Sequence, residues 1–175
     1  ISTDVPLVAS LSLGAFDSSG SLEVLYDFGG PVAGFQFDVT GLALTGGSGG
    51  AAGDAGMDVS SGAATVLGFS FTNSEIAAGS GVLTVLSFSD VTAGTTELSL
   101  GNFGAVTDAS GSGYNTSASG SIDHGDPDCA GTYYGDAQDL ACGCNDADSC
   151  NDCAGVPNGS SEEDDCGVCD GGNAD

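Results

Sequence analysis

Val32-Ala-Gly-Phe-Gln-Phe-Asp-Val-Thr40 alternates Phe35, Phe37 and Val39 with Gln36, Asp38 and Thr40. That two-residue period is the signature of a strand with one face in a core. The chain has no Trp, so Phe supplies much of its large apolar area, and this strand is expected at the middle of a first domain. On its N-terminal side, residues 8–13 carry Leu11 and Leu13 and read as a first strand, followed by the polar turn Asp17-Ser-Ser-Gly20. Residues 22–28 place Leu22, Val24, Tyr26 and Phe28 on one face, and Gly29-Gly-Pro31 turns the chain into the central strand. Leu42 and Leu44 continue that strand beyond Gly41, where a bulge or bend is expected.

Further along, residues 46–56 read as a glycine-rich loop with room for one helical turn. Without a Lys or a following helix pattern, the run is not a phosphate cradle. Met57 and Val59 begin a short strand. Residues 65–72 form a strong one with Leu67, Phe69 and Phe71 aligned, and residues 82–89 are apolar on both faces, as in a central strand. Strands at 96–100, 104–107 and 114–122 bring the number to eight or nine. With turn signals every 8–12 residues and almost no helix pattern, the fold class is all-β, an antiparallel sandwich.

Charge narrows the function. The chain has 25 acidic residues, no Lys or Arg, one His and a formal net charge of -25. Nucleic acid is excluded as a partner, because its phosphates are neutralised by Lys and Arg. Anionic membranes are excluded for the same reason, and no apolar run is long enough to insert. Self-repulsion must be met by salt or bound cations. All seven Cys fall between 129 and 169, which points to an oxidising, extracellular or cell-surface setting. Ile1 then reads as a processed terminus or a cut inside a longer chain.

Three stretches in order, Val32-Ala-Gly-Phe-Gln-Phe-Asp-Val39, Val66-Leu-Gly-Phe-Ser-Phe71 and Ala78-Gly-Ser-Gly-Val-Leu-Thr-Val-Leu-Ser-Phe88, resemble the cohesin family. The resemblance spans roughly residues 8–122 and implies a nine-stranded jelly roll. Cohesins of cellulosomes bind dockerins and others sit in cell-surface proteins, so it also implies a binding role. These motifs are core strands and carry no binding residues with them.

The domain boundary is expected at 122/123, with residues 1–122 as the sandwich and 123–175 as a tail of different composition. Fourteen of the 25 acidic residues lie in those last 53 positions. Asp128-Cys-Ala-Gly-Thr-Tyr-Tyr-Gly135 parallels Asp152-Cys-Ala-Gly-Val-Pro-Asn-Gly159, and Cys142-Gly-Cys144 parallels Cys166-Gly-Val-Cys169. Asp170-Gly-Gly-Asn-Ala-Asp175 falls where a third unit begins. The pattern resembles Asp-Cys-Ala-Gly repeats of large secreted microbial proteins. A segment this small and polar has no core of its own, so disulfides or metals must hold it.

The favoured arrangement is three disulfides among Cys129, Cys142, Cys144, Cys150, Cys153, Cys166 and Cys169, with Cys150 as the odd thiol because it has no counterpart in the repeat. Connectivity does not follow from sequence. The alternative is zinc at Cys150, Cys153, Cys166 and Cys169, two CxxC pairs with nearly zinc-ribbon spacing. For calcium, which takes six to eight oxygens, the candidates are Asp123, Asp126, Asp128, Asp136, Asp139, Asp146, Asp148, Asp152, Asp164, Asp165 and Asp170, with Glu162 and Glu163 beside them. Asn115-Thr-Ser117 and Asn158-Gly-Ser160 match the glycosylation sequon, which makes Asn115 and Asn158 candidate acceptors.

No catalytic residues are expected. His124 is the single histidine and has no nucleophile near it in sequence, and carboxylate pairs lack the Trp platforms that sugar chemistry favours. Two non-enzymatic readings result. The first is a subunit of a calcium- and disulfide-stabilised filament or surface assembly, a homopolymer joined through the odd Cys and the spare segment 1–7. The second is a cohesin-type module that recognises a dockerin or a surface glycan.

Overall fold

The structure is a computed structural model that describes residues 7–171. Residues 1–6, most of the segment expected to add to a neighbour as a strand, lie outside the described residues, as do 172–175. Two compact units are present, Ile1–Gly125 and Asp126–Asp175.

The first unit contains β1 (Val8–Asp17), β2 (Ser21–Phe28), β3 (Gly34–Thr40), β4 (Leu42–Ser48), α1 (Gly50–Asp54), β5 (Asp58–Ser61), β6 (Thr65–Phe69), β7 (Gly79–Val91), β8 (Thr95–Ser99), β9 (Ala105–Thr107), β10 (Asn115–Ala118) and β11 (Gly120–Asp123). One sheet has the order β10-β1-β2-β7-β4; the other runs β11-β8-β3-β6-β5, with β9 beside β3. The inner faces bury Leu11, Leu22, Val24 and Phe28 from one sheet and Phe35, Phe37, Val39 and Val66 from the other, all at most 2% exposed. This is an all-β sandwich, and the quoted stretch is its central strand.

The strand number exceeds the sequence expectation for two local reasons. At Gly41 the expected bend is a full break, so Leu42 and Leu44 join the opposite sheet in β4. The single strand expected at 114–122 is two, because Gly120 (φ 153°) lets the chain leave the β1 sheet and pair with β8. The β1–β10 pair is parallel, an exception within a sandwich expected to be antiparallel throughout.

The strand expected at 65–72 ends at Phe69, and its apolar alternation faces outward. Val66 and Gly68 point to the core, and Leu67 is 41% exposed. Only glycine fits at 68, since an ideal Cβ there would lie 2.1 Å from Cζ of Phe35. The Phe35 ring fills the place of the missing side chain and stacks with Phe37 at 5.9 Å.

His124 closes the first unit. It is 8% exposed, with Nε2 2.7 Å from Thr96 Oγ1 and its ring centroid 4.9 Å from that of Phe16, which stacks on Phe88. Burial holds its pKa below the usual 6.5, with Asp123 pulling the other way. A depressed histidine pKa means the fold favours the neutral ring, so this group's stability contribution is complete above pH 6.5 and is lost as pH falls below it. The check is the imidazole Hε1 resonance, which reports this one group, not a melting curve. It should titrate below pH 6.5 in the folded protein; a midpoint at or above 6.5 would contradict the buried placement.

The second unit has no buried apolar residue among those described. Among the same residues a single ladder joins β12 (Asp139–Leu140) to β13 (Gly143–Cys144). Three disulfides hold the unit: Cys129–Cys144, Cys142–Cys150 and Cys153–Cys169. The odd thiol is Cys166, exposed, and not Cys150 as the repeat suggested. Three of the four thiols in the alternative zinc set are therefore in disulfides, and Cys166 alone is left to act as a thiolate. No helix among the described residues is long and apolar enough to cross a membrane.

Candidate functional site

The outward face of the β11-β8-β3-β6-β5 sheet carries an uncovered apolar cluster. On β6, Leu67 and Phe69 stand outward beside Gln36 of β3, paired in register with Leu67. Just past the strand, Phe71 is 87% exposed and meets Phe69 edge-on at 5.1 Å. From the β8–β9 turn, Phe103 projects at 83% exposure. That turn is closed by the Gly104 N–H donating to Leu100 C=O. Between Phe103 and β6 lies a groove of about 270 Å³, lined by Gly34, Gln36, Leu67, Phe69, Ala105 and Thr107. Its surroundings are acidic: Asp58 pairs with Phe69, while Asp38 accepts a hydrogen bond from Thr65 Oγ1 at 2.8 Å.

Sequence reasoning aligned Leu67, Phe69 and Phe71 but did not give them a direction, and it passed over Phe103. The available signal was a large aromatic held between Gly101 and Gly104 in a loop, where it has no strand to bury it.

Three tail carboxylates accept hydrogen bonds from the backbone that follows them. Asp128 Oδ1 accepts the N–H groups of Ala130 and Thr132, and its Oδ2 accepts that of Ala137. Asp152 repeats the pattern with Ala154, Val156 and Ser161. Asp164 repeats its first half with Cys166 and Val168. In each turn a glycine three residues on (Gly131, Gly155, Gly167; φ 84°, 79°, 78°) donates to the Asp carbonyl. A second glycine (Gly135, Gly159, Gly171) lies so near Oδ2 that an ideal Cβ would be 2.1, 2.0 or 2.2 Å from it. The same one-carboxylate turn recurs in the sandwich at Asp108, with Ser110 and Ser112. The Asp152 and Asp164 turns are 12 residues apart, half the spacing seen in the sequence.

These bonds favour the ionised form. The Thr132 N–H holds Asp128 below its usual pKa of 3.8, and the Val156 N–H does the same for Asp152. Asp146 is lowered first by the Ser149 hydroxyl and then by backbone N–H groups. Depressed carboxylate values stabilise these turns above pH 3.8, and that contribution is lost as pH falls through the lowered values.

The remaining candidates are dispersed. Asp123 Oδ1 accepts from Gly125, Asp148 from the Asn151 amide, and Asp170 from the Ser161 hydroxyl. Asp126, Asp136, Asp139 and Asp165 are exposed. Among the described residues no three His, Cys, Asp or Glu side chains gather as a metal site needs. Asn115 starts β10 and Asn158 sits in a left-handed turn (φ 52°), both exposed.

No family model and no curated protein matches the chain. Two similar solved structures are cohesins. The likeness is one of fold. A non-cellulosomal cohesin from the hyperthermophilic archaeon Archaeoglobus fulgidus is 15% identical with a TM-score of 0.45, over 66% of this chain and 89% of that one. The sixth cohesin from scaffoldin B of Acetivibrio cellulolyticus, in complex with a mutant Cel5 dockerin, is 16% identical with a TM-score of 0.46, over 68% and 99%.

Proposed function

We propose that this chain is a non-enzymatic extracellular binding module, of cohesin type, that takes a dockerin-like protein on the outer face of the β11-β8-β3-β6-β5 sheet. The carrying observation is the uncovered cluster of Leu67, Phe69, Phe71 and Phe103 around its groove. Exposed apolar patches bordered by polar groups mark interaction surfaces, and aromatic anchors commonly carry most of an interface's energy. Asp38, Asp58 and Glu97 on the same sheet call for basic residues at the partner's rim, which steer association. The three disulfides support an oxidising compartment.

The test is titration calorimetry against a panel of dockerins at fixed ionic strength. A binding dockerin should lose about 10- to 100-fold in affinity with the double substitution Phe71→Ala/Phe103→Ala, whose sites are too exposed to affect folding. Binding that the double variant leaves unchanged, or binding to glycans alone, overturns the proposal. The filament reading has one observation in its favour, the exposed thiol of Cys166. Intact mass with and without reductant distinguishes it: a reductant-sensitive dimer supports chain-to-chain linkage, and a monomer in both conditions removes it.

A further inference from the structure

A second concavity, sharing no residue with the Phe103 groove, lies where α1, β2 and the segment leading into β7 meet. Its volume is about 330 Å³. Tyr26 and Ile76 line it together with four alanines, and it carries two carboxylates, Asp54 and Glu75. Its walls are fixed. Ala52 and Met57 anchor the helix side, 0% and 7% exposed, with the Met57 N–H donating to Ala52 C=O. The opposite side is pinned by reciprocal backbone bonds between Val32 and Ile76, at 2.9 and 2.7 Å. The Tyr26 ring is held by a tilted contact with Phe28 at 4.7 Å.

Alanine walls leave the space open, an aromatic ring offers a π surface, and the two ionisable groups are both acids. The chain has no Lys or Arg to neutralise them. The Glu75 charge reaches beyond the pocket, since Tyr114 is held above its usual pKa first by burial and then by the charges of Asp108 and Glu75. Such a combination selects an organic cation over a neutral or anionic group: carboxylates take charge-assisted hydrogen bonds and the ring takes a cation–π contact.

We propose that this pocket binds a guanidinium carried on an aliphatic stem, as in an arginine side chain, between Asp54 and Glu75 and against Tyr26. The group can arrive as free arginine or within a peptide. Free arginine brings a carboxylate that the acidic walls repel, so the capped residue is expected to bind more tightly.

The experiment is an amide-resonance titration of the full chain with acetyl-arginine-amide, with free arginine, and with the neutral isostere acetyl-citrulline-amide. Saturable shifts confined to the amides around residues 26, 51–55 and 75–78 are expected with the first, weaker ones with the second and none with the third. Asp54→Asn/Glu75→Gln should weaken binding at least about tenfold, and Tyr26→Leu about two- to fivefold. The control Asp17→Asn/Asp90→Asn removes two exposed charges outside both concavities and should change nothing. An equal loss in that control, equal shifts with citrulline, or shifts spread over all carboxylate neighbours would mean a non-specific field and overturn the site.

Discussion

Reduction of the three disulfides will unfold residues 126–171 and leave the sandwich intact. The second unit has no buried apolar side chain among its described residues, so hydrophobic burial offers nothing to offset the entropy of ordering it. What holds it is local: the carboxylate-centred turns at Asp128, Asp152 and Asp164, and three disulfides, of which Cys153–Cys169 ties the Asp152 turn to the Asp164 turn. Hydrogen bonds this open to water contribute little each, whereas closing a loop of about 15 residues stabilises by about 3 kcal/mol. Cys129–Cys144 and Cys153–Cys169 have separations of 15 and 16, so each outweighs any single hydrogen bond of the turns. Fourteen carboxylates in residues 123–175 then repel one another in an open chain.

The measurement is amide exchange with and without reductant, supported by digestion with a protease that cleaves at acidic residues, since trypsin has no site. Protection should vanish across the tail, while the amides of β3 and β7 and the melting temperature of the sandwich hold. Cys153→Ser/Cys169→Ser, made with Cys166→Ser to prevent reshuffling, should unfold the C-terminal half of the tail only. Retained protection in the reduced tail would show that the turns, or cations bound to them, suffice.

How much of this was legible in the sequence depended on the element. Phe35, Phe37 and Val39 marked the central strand correctly because a two-residue period with bulky apolar residues has one cheap solution, a buried face. The same period at Leu67, Phe69 and Phe71 was visible, but period does not say which side is the core. The true inner face there is Val66 and Gly68, and it looks weak because Phe35 supplies the volume that Gly68 lacks. The outward cluster was hidden by that exchange. The odd cysteine was misplaced because repeat position ranks similarity, whereas pairing depends on which sulfurs the turns bring together. Spacing alone did not show that Asp128, Asp152 and Asp164 face their own backbone N–H groups.

Phe37→Ala is expected to cost about 3–5 kcal/mol, the range for truncating a fully buried phenylalanine. Phe37 is 0% exposed, lies on the central strand opposite Val66, and stacks with Phe35. Removing the ring leaves a cavity on the inner face, and the Phe35 ring is already committed against Gly68. Domains of this size are stable by about 5–15 kcal/mol, so the substitution removes a large share of the total. Urea titration at one fixed salt concentration checks it, since repulsion in so acidic a chain makes stability depend on ionic strength. Phe71→Ala is the internal comparison: the same residue type just past the neighbouring strand, but 87% exposed, should change stability by less than about 0.5 kcal/mol. A loss below about 1 kcal/mol for Phe37→Ala would put the core elsewhere, and a large loss for Phe71→Ala would mean its face is covered in the free protein. The two substitutions separate the two faces of one sheet by energy alone: the inner ring sustains the fold, and the outer ring stands in solvent.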